Sequence, residues 1–109
     1  MNEEETISHY ADTWLKLTGR FDWCGIPSHM RGGIARYVLK GIPPGQFLTA
    51  LLENDFMEAA GRADMQNLAN LDKWATFLYN FVPTACRGDD QAVRDWCKSG
   101  GLEGAKRDE

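Results

Sequence analysis

The segment around residues 71–81 constrains the chain most. Leu71, Trp74, Ala75, Phe77, Leu78 and Phe81 recur at three- and four-residue spacings and point away from Asp72, Lys73, Thr76 and Asn80. A helix that is apolar around more than half its girth has to be enclosed by other elements. The pattern therefore predicts a central helix from about Leu71 to Asn80, stopped by Pro83, which cannot continue it.

The helical period recurs on both sides. Asn2 followed by Glu3, Glu4 and Glu5 reads as a helix start, since an amide oxygen can cap free N–H groups and carboxylates oppose the positive end of the helix dipole. A first helix is expected from about Glu3 to Thr18, with Ile7, Tyr10, Ala11, Trp14, Leu17 and Thr18 inward and Gly19 at its end. Residues 20–26 lack periodicity, but Phe21 and Trp23 predict a loop pinned against the core. Ser28 reads as the cap of a second helix, with Met30, Ile34, Tyr37 and Val38 as its stripe and Gly41 as its stop. Gly32 and Gly33 inside it each cost ~1 kcal/mol against alanine. The pair reads either as a close approach by a backbone or ligand, or as a weak first turn.

Ile42-Pro43-Pro44-Gly45 is a stiff connector into a third helix from about Pro44 to Ala60 or beyond, carrying Phe47, Leu48, Leu51, Leu52, Phe56, Ala59, Ala60 and Ala63, with Gly61 and Arg62 at or near its end. A turn holding Asp64, Asn67 and Asn70 follows, then the central helix. Asp89 or Asp90 caps a fifth helix to about Lys98, with Val93, Trp96 and Cys97 inward. The last eleven residues, Ser99 to Glu109, carry three glycines and alternating charge, and are expected to form a mobile tail. The expectation is an all-α fold: a single compact domain of about five short helices over 1–98 and a flexible tail over 99–109. A chain of 109 residues has room for one such domain, burying roughly two thirds of its unfolded surface.

Charge and cysteine content narrow the functional classes. Twelve Lys and Arg against sixteen Asp and Glu leave a net charge of −4, which disfavours nucleic acid as a partner. Cys24, Cys86 and Cys97 are an odd number without a Cys-x-x-Cys pair, so free thiols in a reducing cytoplasm are expected, with no metal site and no cofactor. No apolar run approaches the ~20 residues that cross a bilayer, and no signal segment is expected at the acidic start.

Two constellations stand out as candidate binding residues. On the third helix, Asp55, Glu58 and Arg62 continue the line set by Leu51, so that a core stripe runs into a polar cluster. Asn54, Asp55, Glu58, Arg62, Asp64 and Asn67 either ring a partly buried pocket or reduce to an intrahelical Glu58–Arg62 pair worth ~0.3–0.5 kcal/mol. On the second helix, His29, Gly33, Arg36 and Lys40 share a side, which suits an anion site or a solvated face; residues 13–40 hold five basic side chains and one acidic. Asp55 and Glu58 could serve as an acid and base pair only if burial separated their pKa values. Neither a nucleophile elbow nor a phosphate loop is present. The residues favour a non-enzymatic binding protein. A small nucleic-acid-associated regulator using Arg20, Arg31, Arg36 and Lys40, and a small enzyme using the carboxylate pair, are the alternatives, and a homo-oligomer is compatible with the apolar excess.

Ile26-Pro27-Ser28-His29, Arg36-Tyr37, the run from Gly41 to Ala50, Asn54-Asp55, Arg62-Ala63-Asp64, Asn67, Tyr79-Asn80, Pro83 and Trp96 resemble a group of small phage and prophage accessory proteins. The resemblance covers residues 26–97 and departs near Arg87, where the group's pattern carries tryptophan. It implies a protein of the host-cell cytoplasm that acts stoichiometrically against host systems, by blocking a protein effector or sequestering a nucleotide-like signal.

Overall fold

The computed structural model describes residues 1–107. Within them the chain is all-helical: α1 (Glu3–Thr18), α2 (Ser28–Lys40), α3 (Gln46–Leu52), α4 (Phe56–Arg62), α5 (Met65–Ala69), α6 (Leu71–Asn80), a 3-10 turn (Thr84–Cys86), α7 (Asp90–Ser99) and α8 (Gly101–Arg107). The eight helices exceed the expected five because the third predicted helix is two, the following turn holds a third, and the expected tail forms another.

The break in the third helix has a local cause. Asn54 adopts the left-handed conformation, φ 64°, which asparagine tolerates better than most residues. Its N–H donates to the Leu51 carbonyl at 3.1 Å and that of Asp55 reaches the Ala50 carbonyl at 2.9 Å. This pairing closes a helix at a left-handed residue. Asp55 then starts α4 by accepting from the Glu58 N–H at 3.2 Å. Asp64 repeats the device for α5, accepting from the Asn67 N–H at 2.7 Å. Asn-Asp, then Asp-x-x-Glu, encode a stop and a restart.

Other boundaries follow the expected chemistry. Asn2 caps α1 through the Glu5 N–H at 2.8 Å, Gly19 and Gly41 end α1 and α2 in the left-handed region, and Asp89 caps α7 through Ala92. Ser28 is the first residue of α2 and makes no side-chain cap, a correction to the sequence reading. The inward face of α1 is also shorter than its pattern suggests. Thr6 and Tyr10 are buried there, whereas Leu17 is 63% exposed because α1 outruns the elements beneath it.

Trp74 and Phe77 of α6 are fully buried among Tyr10, Ile34, Tyr37, Leu39, Leu48 and Leu52. The loop after α1 packs as expected: Phe21 meets Trp23 edge-on with centroids 4.9 Å apart, and Trp23 stacks on Phe77 at 5.5 Å. Long-range polar ties fasten the helices. The Tyr10 hydroxyl donates to the Phe81 carbonyl, that of Tyr37 to the Cys86 carbonyl at 2.7 Å, and the Trp96 indole N–H to the Tyr37 carbonyl at 2.9 Å.

Within the expected tail, Gly101–Arg107 is helical. Gly41 and Gly101 bring α2 and α8 into backbone contact: a Cβ at Gly101 would stand 2.7 Å from the Gly41 nitrogen and the Leu39 carbonyl. Leu102 packs against the core. Residues 108 and 109 of the expected tail lie outside the described residues. The Gly32 puzzle also resolves, because the Glu3 side chain crosses that glycine: a Cβ there would lie 2.0 Å from Glu3 Oε1. Its close approach is by a side chain, neither backbone nor ligand.

Candidate functional site

The polar cluster read along the third helix does not converge. That helix stops at Leu52 and another starts at Phe56, and most of the candidates serve the backbone or one another. Asn54 is the left-handed stop of α3, and Asp55 the start of α4. Glu58 pairs with Arg62 at 2.6 Å, and Arg62 also donates to Gln46 Oε1 at 2.7 Å. Glu58 and Arg62 border a shallow, solvent-open depression with Gln46 and Glu53. Asp64 caps α5 and accepts from His29 Nε2 at 3.0 Å. The Asn67 N–H beside its carboxylate, helped by His29, holds Asp64 below the usual aspartate range.

Asn67 is interior. It is 2% exposed, and its Oδ1 accepts the buried Trp74 indole N–H at 3.0 Å. The basic stripe of α2 also disperses: His29 turns to Asp64 and Arg36 lies 3.8 Å from Glu3. Lys40 is exposed beyond them. No shared pocket gathers these residues.

Asp55 and Glu58 are both exposed, so the burial that an acid and base pair requires is missing. Burial pushes the Cys86 thiol up to about 12 and raises those of Cys24 and Cys97. Among the described residues no three His, Cys, Asp or Glu side chains form a cluster able to hold a metal ion.

A different feature meets the description of a recognition site. The apolar face of α6 is only partly covered: Trp74, Phe77 and Leu78 are buried, but Leu71 is half-buried and Ala75 exposed. Ala75 lies beside the junction of α3 and α4, whose Asn54, Asp55 and Phe56 line the same cleft. The cleft is about 350 Å3, with Leu51, Leu52, Leu71, Ala75 and Leu78 along it, and Asn54, Asp55, Phe56, Tyr79, Arg87 and Gly88 completing its lining. That volume falls at the lower end of the ~300–1,000 Å3 typical of ligand pockets. Phe56 and Tyr79 stand at its mouth, 63% and 75% exposed.

Arg87 braces one wall. Its Nε donates to the Leu78 carbonyl at 2.8 Å, and its guanidinium lies 5.9 Å from the centre of the Tyr79 ring, within cation–π range. The Gly88 N–H donates to the Leu52 carbonyl at 2.8 Å, which ties this turn to the end of α3. Apolar walls with a few fixed polar groups can hold an apolar group and orient what carries it.

Of the sequence candidates only Asn54 and Asp55 line this cleft. Phe56, Leu71, Ala75, Tyr79 and Arg87 were missed as site residues. Compared with known proteins, the chain matches no family model, no curated protein and no solved structure.

Proposed function

We propose that the chain is a non-enzymatic binding protein that works stoichiometrically, with the cleft beside Ala75 as its recognition site. One observation carries this reading: α6 leaves part of its apolar face uncovered, in a concavity rimmed by exposed Phe56 and Tyr79. Exposed apolar patches with polar borders are characteristic of interaction sites. Met57 and Met65, 78% and 89% exposed, belong to the neighbouring helices α4 and α5, and flexible thioethers suit an adaptable contact surface.

A protein effector is favoured over a sequestered nucleotide. Arg87 is the one cation among the cleft's described lining residues, and its Nε is already engaged, whereas a nucleotide brings several negative charges. The resemblance of residues 26–97 to phage and prophage accessory proteins supports an anti-defence or host-modulating role in the host cytoplasm, exercised by blocking such an effector. Native mass spectrometry of the full chain purified from phage-carrying cells tests the proposal. The expected result is a near one-to-one complex with a second protein, lost in Ala75→Trp, which fills the cleft from an exposed helix position. Retention of that complex by a folded Ala75→Trp variant overturns the proposal.

A further inference from the structure

We infer that the cleft receives a cationic amphipathic helix that inserts a large apolar side chain beside Ala75. The inference rests on the binding role proposed above and adds the chemistry of the partner. Apolar residues of the cleft supply the anchor site; its charged surroundings specify the flanks.

One carboxylate lines the cleft and two more neighbour its lining residues along the chain; Asp55 and Asp89 also accept backbone N–H groups as helix caps. Asp55 is the lining one, and Asp89 directly follows the lining residue Gly88. Asp72 lies seven residues before Tyr79 on α6, hence on nearly the same side of that helix. None of the three takes part in an ion pair among the described residues. Of the nearby cations only Arg87 lines the cleft, and its single charge is outnumbered by the three carboxylates; the others are engaged elsewhere. Arg87 donates to the Leu78 carbonyl and lies over Tyr79, Arg62 holds Glu58 and Gln46, and Lys73 leans across Gly25 on another face of α6. Negative potential at the mouth of an apolar cleft favours a partner with basic residues around its apolar anchor.

The form of the partner follows from the walls. No strand edge is present among the described residues, so an incoming extended segment finds no ladder of free backbone groups to join. A groove between helices is instead suited to a helix that lays its apolar stripe inward. Phe56 and Met57 at the start of α4 and Tyr79 on α6 lie where such a stripe would pass, all three exposed.

Fluorescence anisotropy of the full chain with labelled synthetic helix-forming peptides tests the inference. One peptide carries a leucine and tryptophan stripe flanked by lysines; the other has glutamate at every lysine position. The lysine peptide should bind at least about tenfold more tightly than the glutamate peptide at low salt, and the difference should shrink as salt screens it. Asp72→Lys should weaken lysine-peptide binding, and Ala75→Trp should abolish it, with melting temperatures confirming that both variants fold.

Equal binding of the two peptides, both blocked by Ala75→Trp, overturns the cationic assignment while leaving the cleft as a binding site. Lysine-peptide binding that survives Ala75→Trp, or no binding of either peptide, overturns the inference; the native complex in wild type and Ala75→Trp then separately decides the binding role. Self-association abolished by Ala75→Trp makes a second copy the occupant and equally overturns it.

Discussion

Replacing Asn67 with alanine distinguishes a structural amide from a recognition residue, because the two roles predict opposite outcomes. Asn67 is 2% exposed, and the Trp74 ring whose N–H it accepts is fully buried. Deleting the acceptor leaves an indole N–H without a partner in the core, a cost of about 1–3 kcal/mol. For a chain of this size each kcal/mol lowers the melting temperature by roughly 4 °C, so Asn67→Ala should melt roughly 4–12 °C lower. Trp74→Phe removes the donor, keeps an aromatic ring against Phe47 and Phe77, and orphans the amide instead. The double variant orphans neither group.

Urea unfolding followed by circular dichroism of wild type, both single variants and the double variant gives the coupling directly. The losses should be non-additive by about 1 kcal/mol or more, the double variant being more stable than the sum of the two predicts. Additive losses, or an Asn67→Ala variant as stable as wild type that fails only in binding, would refute this account of the pair.

The docking of α8 predicts that Gly101→Ala costs about 1 kcal/mol or more, since its Cβ meets backbone at 2.7 Å. Gly19→Ala, also at positive φ but with nothing within 4 Å, should cost less, and equal losses by thermal melting contradict the close approach. Glu58→Ala and Arg62→Ala should each change stability by less than ~0.5 kcal/mol in urea titrations, since exposed pairs contribute little; a larger loss shows that the pair does more than decorate α4. Asp64 is held low by the Asn67 N–H and Asp90 by Arg94. Their stabilisation is complete above the ordinary aspartate value of about 3.9 and is lost as pH falls below it through the depressed folded values. Asp64→Asn and Asp90→Asn should each flatten the acid limb of a plot of melting temperature against pH, and an unchanged limb removes that group from the acid response.

The sequence made the helical class, the central place of α6 and most helix ends legible, because amphipathic spacing, Asn2, Gly19, Gly41 and Asp89 act within a turn or two of the chain. The break at Asn54 was written there too, as Asn-Asp followed by Glu58, but the apolar spacing runs across it and hid the signal. The line drawn from Leu51 was misplaced as a result: Asp55, Glu58 and Arg62 belong together on α4 but do not continue the core stripe of α3. Asn67 was read as a member of a binding cluster because nothing local reveals that its side chain accepts the Trp74 indole N–H seven residues later. The cleft was illegible for a further reason. An uncovered patch depends on where other helices fail to pack, and the pattern of α6 is the same whether Ala75 faces a neighbour or solvent.

The central claim is that recognition occurs on the uncovered face of α6, away from the Glu58–Arg62 pair. Photo-crosslinking in phage-carrying cells tests it most directly, with the crosslinking amino acid p-benzoylphenylalanine placed at the exposed rim residue Tyr79 in one variant and at Arg62 in another. The account predicts a discrete covalent protein adduct from position 79 and none from position 62. An adduct from position 62 alone would contradict it.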